Sequence, residues 1–194
     1  MWPPRGFLRD ATPSKQHDWR HAMIRLAESF AREAHAGQIR KGEGARPYDT
    51  HLAEVADFVT RHGGDEIAIA AAWLHDTVED TAVSHDDLVQ RFGDAVAAVV
   101  AELTDDKALP KAERKRMQVV NAPGKSARAA LVKCGDKTSN IRSVTLTPPD
   151  WPEARKAAYV TWGCEVVEAL PQVPEGAMAE FRAAVALFRA RSGD

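Results

Sequence analysis

The segment from Ala71 to Thr81 carries an apolar helical pattern straight into four ionisable side chains, His75, Asp76, Glu79 and Asp80. Residues four apart share one face of a helix, so the spacing predicts His75 over Glu79 and Asp76 over Asp80. One imidazole and three carboxylates then crowd the end of a segment otherwise fit for a core. Carboxylates packed together repel unless a proton or a cation separates them, and the dipole at a helix C-terminus disfavours anions further. A bound divalent metal ion is the economical reading, and an acidic helix end the bland one. Neighbouring residues cannot enclose an ion by themselves, so other segments must contribute. His51 opens a predicted helix after a loop, and Asp136 lies in the stretch from Lys133 to Asn140, with Lys133, Lys137 and Asn140 at helical spacing around it. Taken singly, a histidine at a helix start is a cap or surface group and an aspartate is solvated. Their combination points to a metal site.

The elements that must position these residues are helical almost throughout. Trp19, Met23, Leu26, Ala27, Phe30 and Ala34 form one stripe of a first helix, and the glycines, Pro47 and charges of Gly37–Thr50 break the pattern. His51 opens a second helix with Leu52, Val55, Ala56 and Val59 inward, ended by Gly63 and Gly64. A third runs from about Asp65 into the acidic cluster. Ser84 and Asp87 make a capping box for a short helix ending near Gly93, and a small Ala/Val-rich helix spans Ala95–Leu103. Pro110 sits where a proline opens a helix, Ser126 caps a helix from Ala127 to about Val144, and residues 147–152 form a Pro-rich connector. Two helices, about 152–169 and 174–191, complete the chain. No segment shows the period-2 alternation of a strand, so the expected fold is a single all-α domain of eight or nine helices, residues 17–194, behind a flexible arm at 1–16.

A chain of 194 residues is long enough for one compact domain with a real core. Its net charge of -2 offers no reason to expect nucleic acid or a membrane surface as partner. No apolar run approaches the length of a membrane span, and the first residues lack the apolar stretch of a signal peptide. Cys134 and Cys164 are too few and too far apart for a disulfide framework or a thiolate zinc site, and read as buried small residues. These properties describe a soluble cytoplasmic protein acting on a small molecule; its oligomeric state is not legible.

Several stretches resemble one family, the HD-domain hydrolases, and within it the RelA/SpoT-type alarmone hydrolases. They are Ala34–Lys41, Pro47–His51, Leu74–Thr81 and Val132–Arg142. Leu103–Arg116 and Tyr159–Trp162 with Val166 and Val167 are similar to the small, hydrolase-only branch that has metazoan members. The resemblance covers roughly residues 20 to 190. It implies His51, His75, Asp76 and Asp136 as metal ligands, with manganese the usual ion. A mixed imidazole and carboxylate set suits Mn²⁺ or Fe²⁺ and also admits Zn²⁺. Glu79 and Asp80 match the acidic pair that positions and activates water, and Arg40 and Lys41 the basic pair that contacts nucleotide base and phosphates. Asn140 matches the residue that holds the sugar region; Lys107, Arg114 and Arg142 are further phosphate contacts. The chain departs from the family pattern at Leu52, where a proline is usual, and at Cys134-Gly135, where Leu-Ala is usual.

What the resemblance implies is metal-dependent removal of the 3′-diphosphate of guanosine tetra- or pentaphosphate, the alarmones of the stringent response, yielding GDP or GTP and pyrophosphate. A divalent ion lowers the pKa of bound water, and cations neutralise the pyrophosphate. Alternatives are the same chemistry on adenosine alarmones, a nucleotide or NADPH phosphatase of the same superfamily, or a non-catalytic nucleotide sensor. The long members carry a synthetase after the hydrolase, so a chain of this length is expected only to degrade. Other features have blander readings. Trp73, Trp151 and Trp162 are expected in packing, His35 in a structural hydrogen bond, and His62 and His85 at the surface. The basic run Lys107–Arg116 reads as a solvated face or as a substrate contact.

Overall fold

The sequence Glu66–Leu74 is apolar around its whole circumference, which suits a helix enclosed by others rather than one lying on a surface. In the computed structural model, which describes residues 13–42 and 44–193, this helix is α3, and Ala68 and the run from Ala70 to Leu74 are buried. Asp65 caps its start by accepting a hydrogen bond from the Ala68 amide at 3.0 Å. Around it pack α1 (Pro13–Ala34), α2 (Asp49–Arg61), α6 (Asp94–Leu103) and α8 (Ala127–Leu146). Its alanines let these neighbours approach closely. The remaining α-helices among the described residues are α4 (Thr77–Asp80), α5 (His85–Phe92), α7 (Lys111–Asn121), α9 (Glu153–Glu168) and α10 (Glu175–Ser192). Helix α10 lies along α8, and the only β pairing described is an isolated bridge between Ile39 and Pro47. The domain is all-α, and no helix among the described residues is long and apolar enough to cross a membrane.

The nine expected helical segments are present, with one consequential change. The third does not run on through the acidic cluster. Helix α3 ends at Leu74, His75 and Asp76 form the junction, and α4 is a separate single turn. Side chains consume the carbonyls freed there: His75 Nδ1 meets Ala72 O at 2.8 Å and Thr77 Oγ1 donates to Leu74 O at 2.6 Å. The capping box at Ser84 and Asp87 forms as expected, and Ser126 caps α8. The expected arm at 1–16 falls on residues 1–12, outside the described residues, and on the first turn of α1.

In α1 the buried stripe is Met23, Ala27 and Ala31, while Leu26 is exposed; the side chain of Trp19 lies outside the described residues. Small residues on the inner side let α1 approach the alanines of α3, which turns the larger Leu26 outward. A similar approach joins α2 to α8. A Cβ placed on Gly135 would lie 2.8 Å from Phe58 Cδ1, so any larger residue there requires the buried Phe58 ring or the helices to shift. That close approach sets the distance between His51 on α2 and Asp136, the next residue of α8. Between α1 and α2, residues 38–48 form a pinched loop closed by Arg40 N to Arg46 O and Tyr48 N to Gln38 O, each 2.9 Å.

Candidate active site

His51 and His75 are each 2% exposed, and both present Nε2 towards the same point. One ligand atom from each of His51, His75 and Asp136 falls within 4.8 Å of the others, so α2, the end of α3 and α8 converge there. Asp76 brings Oδ2 to 3.1 Å from His75 Nε2 and 3.6 Å from His51 Nε2, and Asp136 Oδ1 lies 3.5 Å from His51 Nε2. The Nδ1 atoms are otherwise engaged, on Ser139 Oγ at 2.9 Å for His51 and on Ala72 O for His75. His75 Nε2 is buried without a hydrogen-bonding partner despite the nearness of Asp76. An orphaned imidazole nitrogen inside a protein is costly, and a cation among two imidazoles and two carboxylates removes the cost. The four residues therefore fit a divalent ion of the imidazole–carboxylate type. His51, His75 and Asp136 form the close cluster, with Asp76 bordering it.

The electrostatics differ between the two histidines: without an ion, the carboxylates beside His75 favour its protonated form. Burial lowers the pKa of His51; at His75 burial acts the same way, but the close Asp76 carboxylate together with the Asp136 charge exceeds it and raises the pKa. Burial works against the Asp136 carboxylate, but Lys137 at 3.2 Å, the His51 contact and Lys133 at 3.8 Å hold its pKa well below the ordinary value. Burial also opposes ionisation of Asp76, and the two histidines more than offset it, leaving its pKa depressed. Glu79 behaves oppositely. Burial, then the neighbouring Asp105, raises its pKa, against a hydrogen bond from the Asp105 amide at 3.2 Å. A carboxylate whose pKa is raised is a stronger proton acceptor than one in open solvent.

Above this floor opens a cleft of about 560 Å³, large enough for a nucleotide. His51, Tyr48, Asp80 and Asn140 line its inner side. Arg40, Lys41, Lys111, Arg114, Lys115 and Arg155 contribute cations, against the carboxylates of Asp80 and Asp105, and Trp151, Tyr159 and Trp162 form an aromatic side. Such a lining suits a polyanion that carries a flat ring.

The expected substrate contacts are distributed unevenly. Lys41, Arg114 and Asn140 lie in the cleft; Asn140 Nδ2 donates to Asp136 Oδ1 at 2.5 Å, and Arg114 Nη1 is 3.8 Å from Glu79 Oε1. Arg40 reaches the cleft, yet it is 8% exposed and its guanidinium is occupied by Glu54 and Ser139. Lys107 pairs with Asp80 at 2.5 Å on an exposed rim outside the cleft lining. Arg142 pairs with Glu180 and lines a separate cavity between α2 and α8. Within the basic run, Lys111, Arg114 and Lys115 face the cleft, whereas Arg116 pairs with Glu113 in solvent.

Several site residues were not singled out from the sequence. Tyr48 donates its hydroxyl to Asp76 Oδ2 at 2.6 Å and stacks on His35, with ring centroids 4.9 Å apart. Its burial, then the Asp76 charge, pushes the phenol pKa far up, so it remains a donor. Tyr48 precedes His51, and Ser139 follows Asp136, by three residues, one helical turn from a ligand, and that spacing is the signal available. Of the tryptophans expected in packing, Trp73 is in the core, Trp151 packs against the core while also lining the cleft, and Trp162 lines the cleft. Lys115 and Lys137 sit over the Trp162 ring at 4.5 and 4.2 Å, an arrangement that only the tertiary fold creates. His35 bonds Gln38 at 2.8 Å as expected; His62 is not a surface residue but lies under Glu180, 2.7 Å away, against Phe58. Cys134 is buried and Cys164 half-buried.

An all-α domain that brings His51 of one helix against the His75-Asp76 doublet following another is the arrangement expected of an HD domain. The chain belongs to the HD-domain family, whose model matches residues 27–162, a span holding all four candidate ligands. Relatives named guanosine-3′,5′-bis(diphosphate) 3′-pyrophosphohydrolase MESH1 are similar over most of their length. The one from Xenopus tropicalis is 44% identical over 152 residues, covering 77% of this chain and 85% of that one. The Homo sapiens protein is 43% identical over the same share of each chain. A solved structure of a metazoan orthologue of SpoT, described as hydrolysing ppGpp, superimposes with a TM-score of 0.82 at 35% identity, covering 88% of this chain and 96% of that one. The resemblance read from the motifs is thus borne out at the level of family and branch.

Proposed function

We propose that this chain is a Mn²⁺-dependent 3′-pyrophosphohydrolase of guanosine tetra- and pentaphosphate. The reading rests on one observation above all: a buried His51, His75 and Asp136 cluster with an orphaned Nε2 reaches, through His51, a cleft lined by cations and aromatic rings. The MESH1 relatives, with the hydrolysis named for them, support it. His51, His75, Asp76 and Asp136 would hold the ion, which when bound supplies Lewis acidity and activates water near neutral pH.

The chain's own residues perform the rest. Lys41, Arg114 and Lys115 take up the charge of the phosphates, and Trp151 and Trp162 offer faces for the base. Asn140, fixed on Asp136, bounds the sugar region. Glu79, with its raised pKa, accepts the proton of the attacking water, and Asp80 orients that water. Water adds to the phosphorus bonded to O3′, the O3′–P bond breaks, and O3′ takes up a proton as pyrophosphate departs. Arg114, beside Glu79, is placed to stabilise charge on the phosphorane.

The test offers purified protein and Mn²⁺ the 3′-diphosphate nucleotides of guanosine and adenosine, and NADPH, in parallel, with products separated by chromatography. Guanosine substrates should yield GDP or GTP with pyrophosphate. Turnover of the adenosine compound alone would move the substrate to that base, and orthophosphate from NADPH alone would overturn the assignment.

A further inference from the structure

Glu54, on α2 one turn beyond His51, is half-buried and receives three donors. Ser139 Oγ lies 2.6 Å from Oε2, Arg40 Nη1 2.8 Å from the same oxygen, and Arg46 Nη2 2.8 Å from Oε1. Burial opposes its ionisation, but Ser139 and the two guanidiniums keep its pKa below the ordinary value. An ionised carboxylate only accepts hydrogen bonds, and a serine hydroxyl has one proton to give. The Ser139 proton is therefore committed to Glu54. What remains of Ser139 Oγ is acceptor capacity, facing His51 Nδ1 at 2.9 Å and Arg40 Nη2 at 3.3 Å. A guanidinium cannot accept, so this set of partners admits one arrangement: His51 carries its hydrogen on Nδ1 and leaves Nε2 bare.

We propose that Glu54, acting through Ser139, sets the tautomer of His51 and so makes Nε2 a ligand atom, with Arg40 holding Glu54 in place. Glu54 and Ser139 are positioning residues, and Arg40 serves the site from behind as well as lining the cleft. The two histidines differ in this respect. His75 directs Nδ1 to a backbone carbonyl, which no substitution removes, whereas His51 depends on a side-chain relay that reaches the partly exposed Arg46. Partners that orient a metal-bound histidine commonly govern affinity for the ion.

This inference rests on the reading of His51 as a metal ligand, and two separate measurements keep the two apart. Long-range ¹H–¹⁵N correlation spectra of histidine-labelled, metal-free protein report the tautomer of His51 directly. Mn²⁺ binding, followed by electron paramagnetic resonance without substrate, reports affinity. The native protein should show His51 protonated on Nδ1. In Glu54→Gln the amide can donate to Ser139 Oγ, freeing the hydroxyl to turn towards Nδ1. The Nε2–H tautomer should then appear, and Mn²⁺ should bind roughly 10- to 100-fold more weakly. Ser139→Ala, a smaller packing change, should weaken Mn²⁺ binding without enforcing the reversed tautomer. Native His51 protonated on Nε2, or both variants with native spectra and native Mn²⁺ affinity, would overturn the proposal. Native protein that binds no Mn²⁺ while showing the Nδ1–H signature would instead defeat the metal reading and leave the relay standing.

Discussion

The floor of the site and the wall of the cleft are built by different rules. The floor belongs to α2, α3 and α8, where Leu52, Val55, Leu74 and Val132 are fully buried around the candidate ligands. The wall belongs largely to α7 and α9, and α7 has no buried residue at all. It is held to α9 by the Trp162 Nε1 hydrogen bond to the Lys115 backbone carbonyl at 3.0 Å and by cations over aromatic rings. Close-packed interiors tolerate little displacement, whereas long cationic stems adjust to the anion they meet. The difference places rigidity where a reaction needs fixed geometry and adaptability where a polyanion must enter and leave.

The largest expected effect tests the floor. Asp76→Asn should abolish turnover, and Glu79→Gln should lower kcat by about 10²- to 10⁴-fold, both with native far-ultraviolet circular dichroism. Full activity in either variant would remove the chemistry from this cluster. Next, Gly135→Ala probes packing: forcing a methyl against Phe58 should cost about 1–3 kcal/mol in urea unfolding. An unchanged midpoint would mean that α2 and α8 can separate freely and that the floor is no stiffer than the wall. Arg114→Ala should act on the wall, reducing kcat/KM roughly tenfold, the effect of about 1.4 kcal/mol for one charged hydrogen bond; a native kcat/KM would place the phosphates elsewhere.

The smallest effect concerns the support behind the floor. Glu180 on α10 receives Arg61, His62 and Arg142, and these, Arg61 foremost, lower its pKa to about 2 despite partial burial. A carboxylate with a depressed folded pKa contributes stability above its unfolded value, about 4.3. That contribution disappears as pH falls through the folded value. The difference in Tm between native protein and Glu180→Gln should hold at pH 7 and shrink between about pH 4 and 2. A gap that widened on acidification would reverse the sign.

Much of this was legible because helical periodicity reports burial directly. The inner residues of α2 and the capping box at Ser84 are where spacing puts them, and His51, His75 and Asp136 come together in the fold. What escaped has physical causes. No glycine or proline follows Leu74 to signal the end of α3, and the carbonyls claimed by His75 and Thr77 mark the break there. Arg40 and Arg142 are legible as cations, but their partners Glu54 and Glu180 are distant in sequence, so their commitment is not. Tryptophan looks alike in a core and in a cleft, and only the placement of α7 and α9 separates Trp73 from Trp162.

The convergence of α2, α3 and α8 within 4.8 Å has a thermodynamic side. These segments are far apart in the unfolded chain, so an ion that needs them together recognises only the folded form. At a free concentration one hundred times its Kd, such an ion adds about 2.7 kcal/mol to stability. If the site holds the proposed ion, it would act as a cross-link whose strength follows metal supply, and scarcity of the ion would lower stability along with activity.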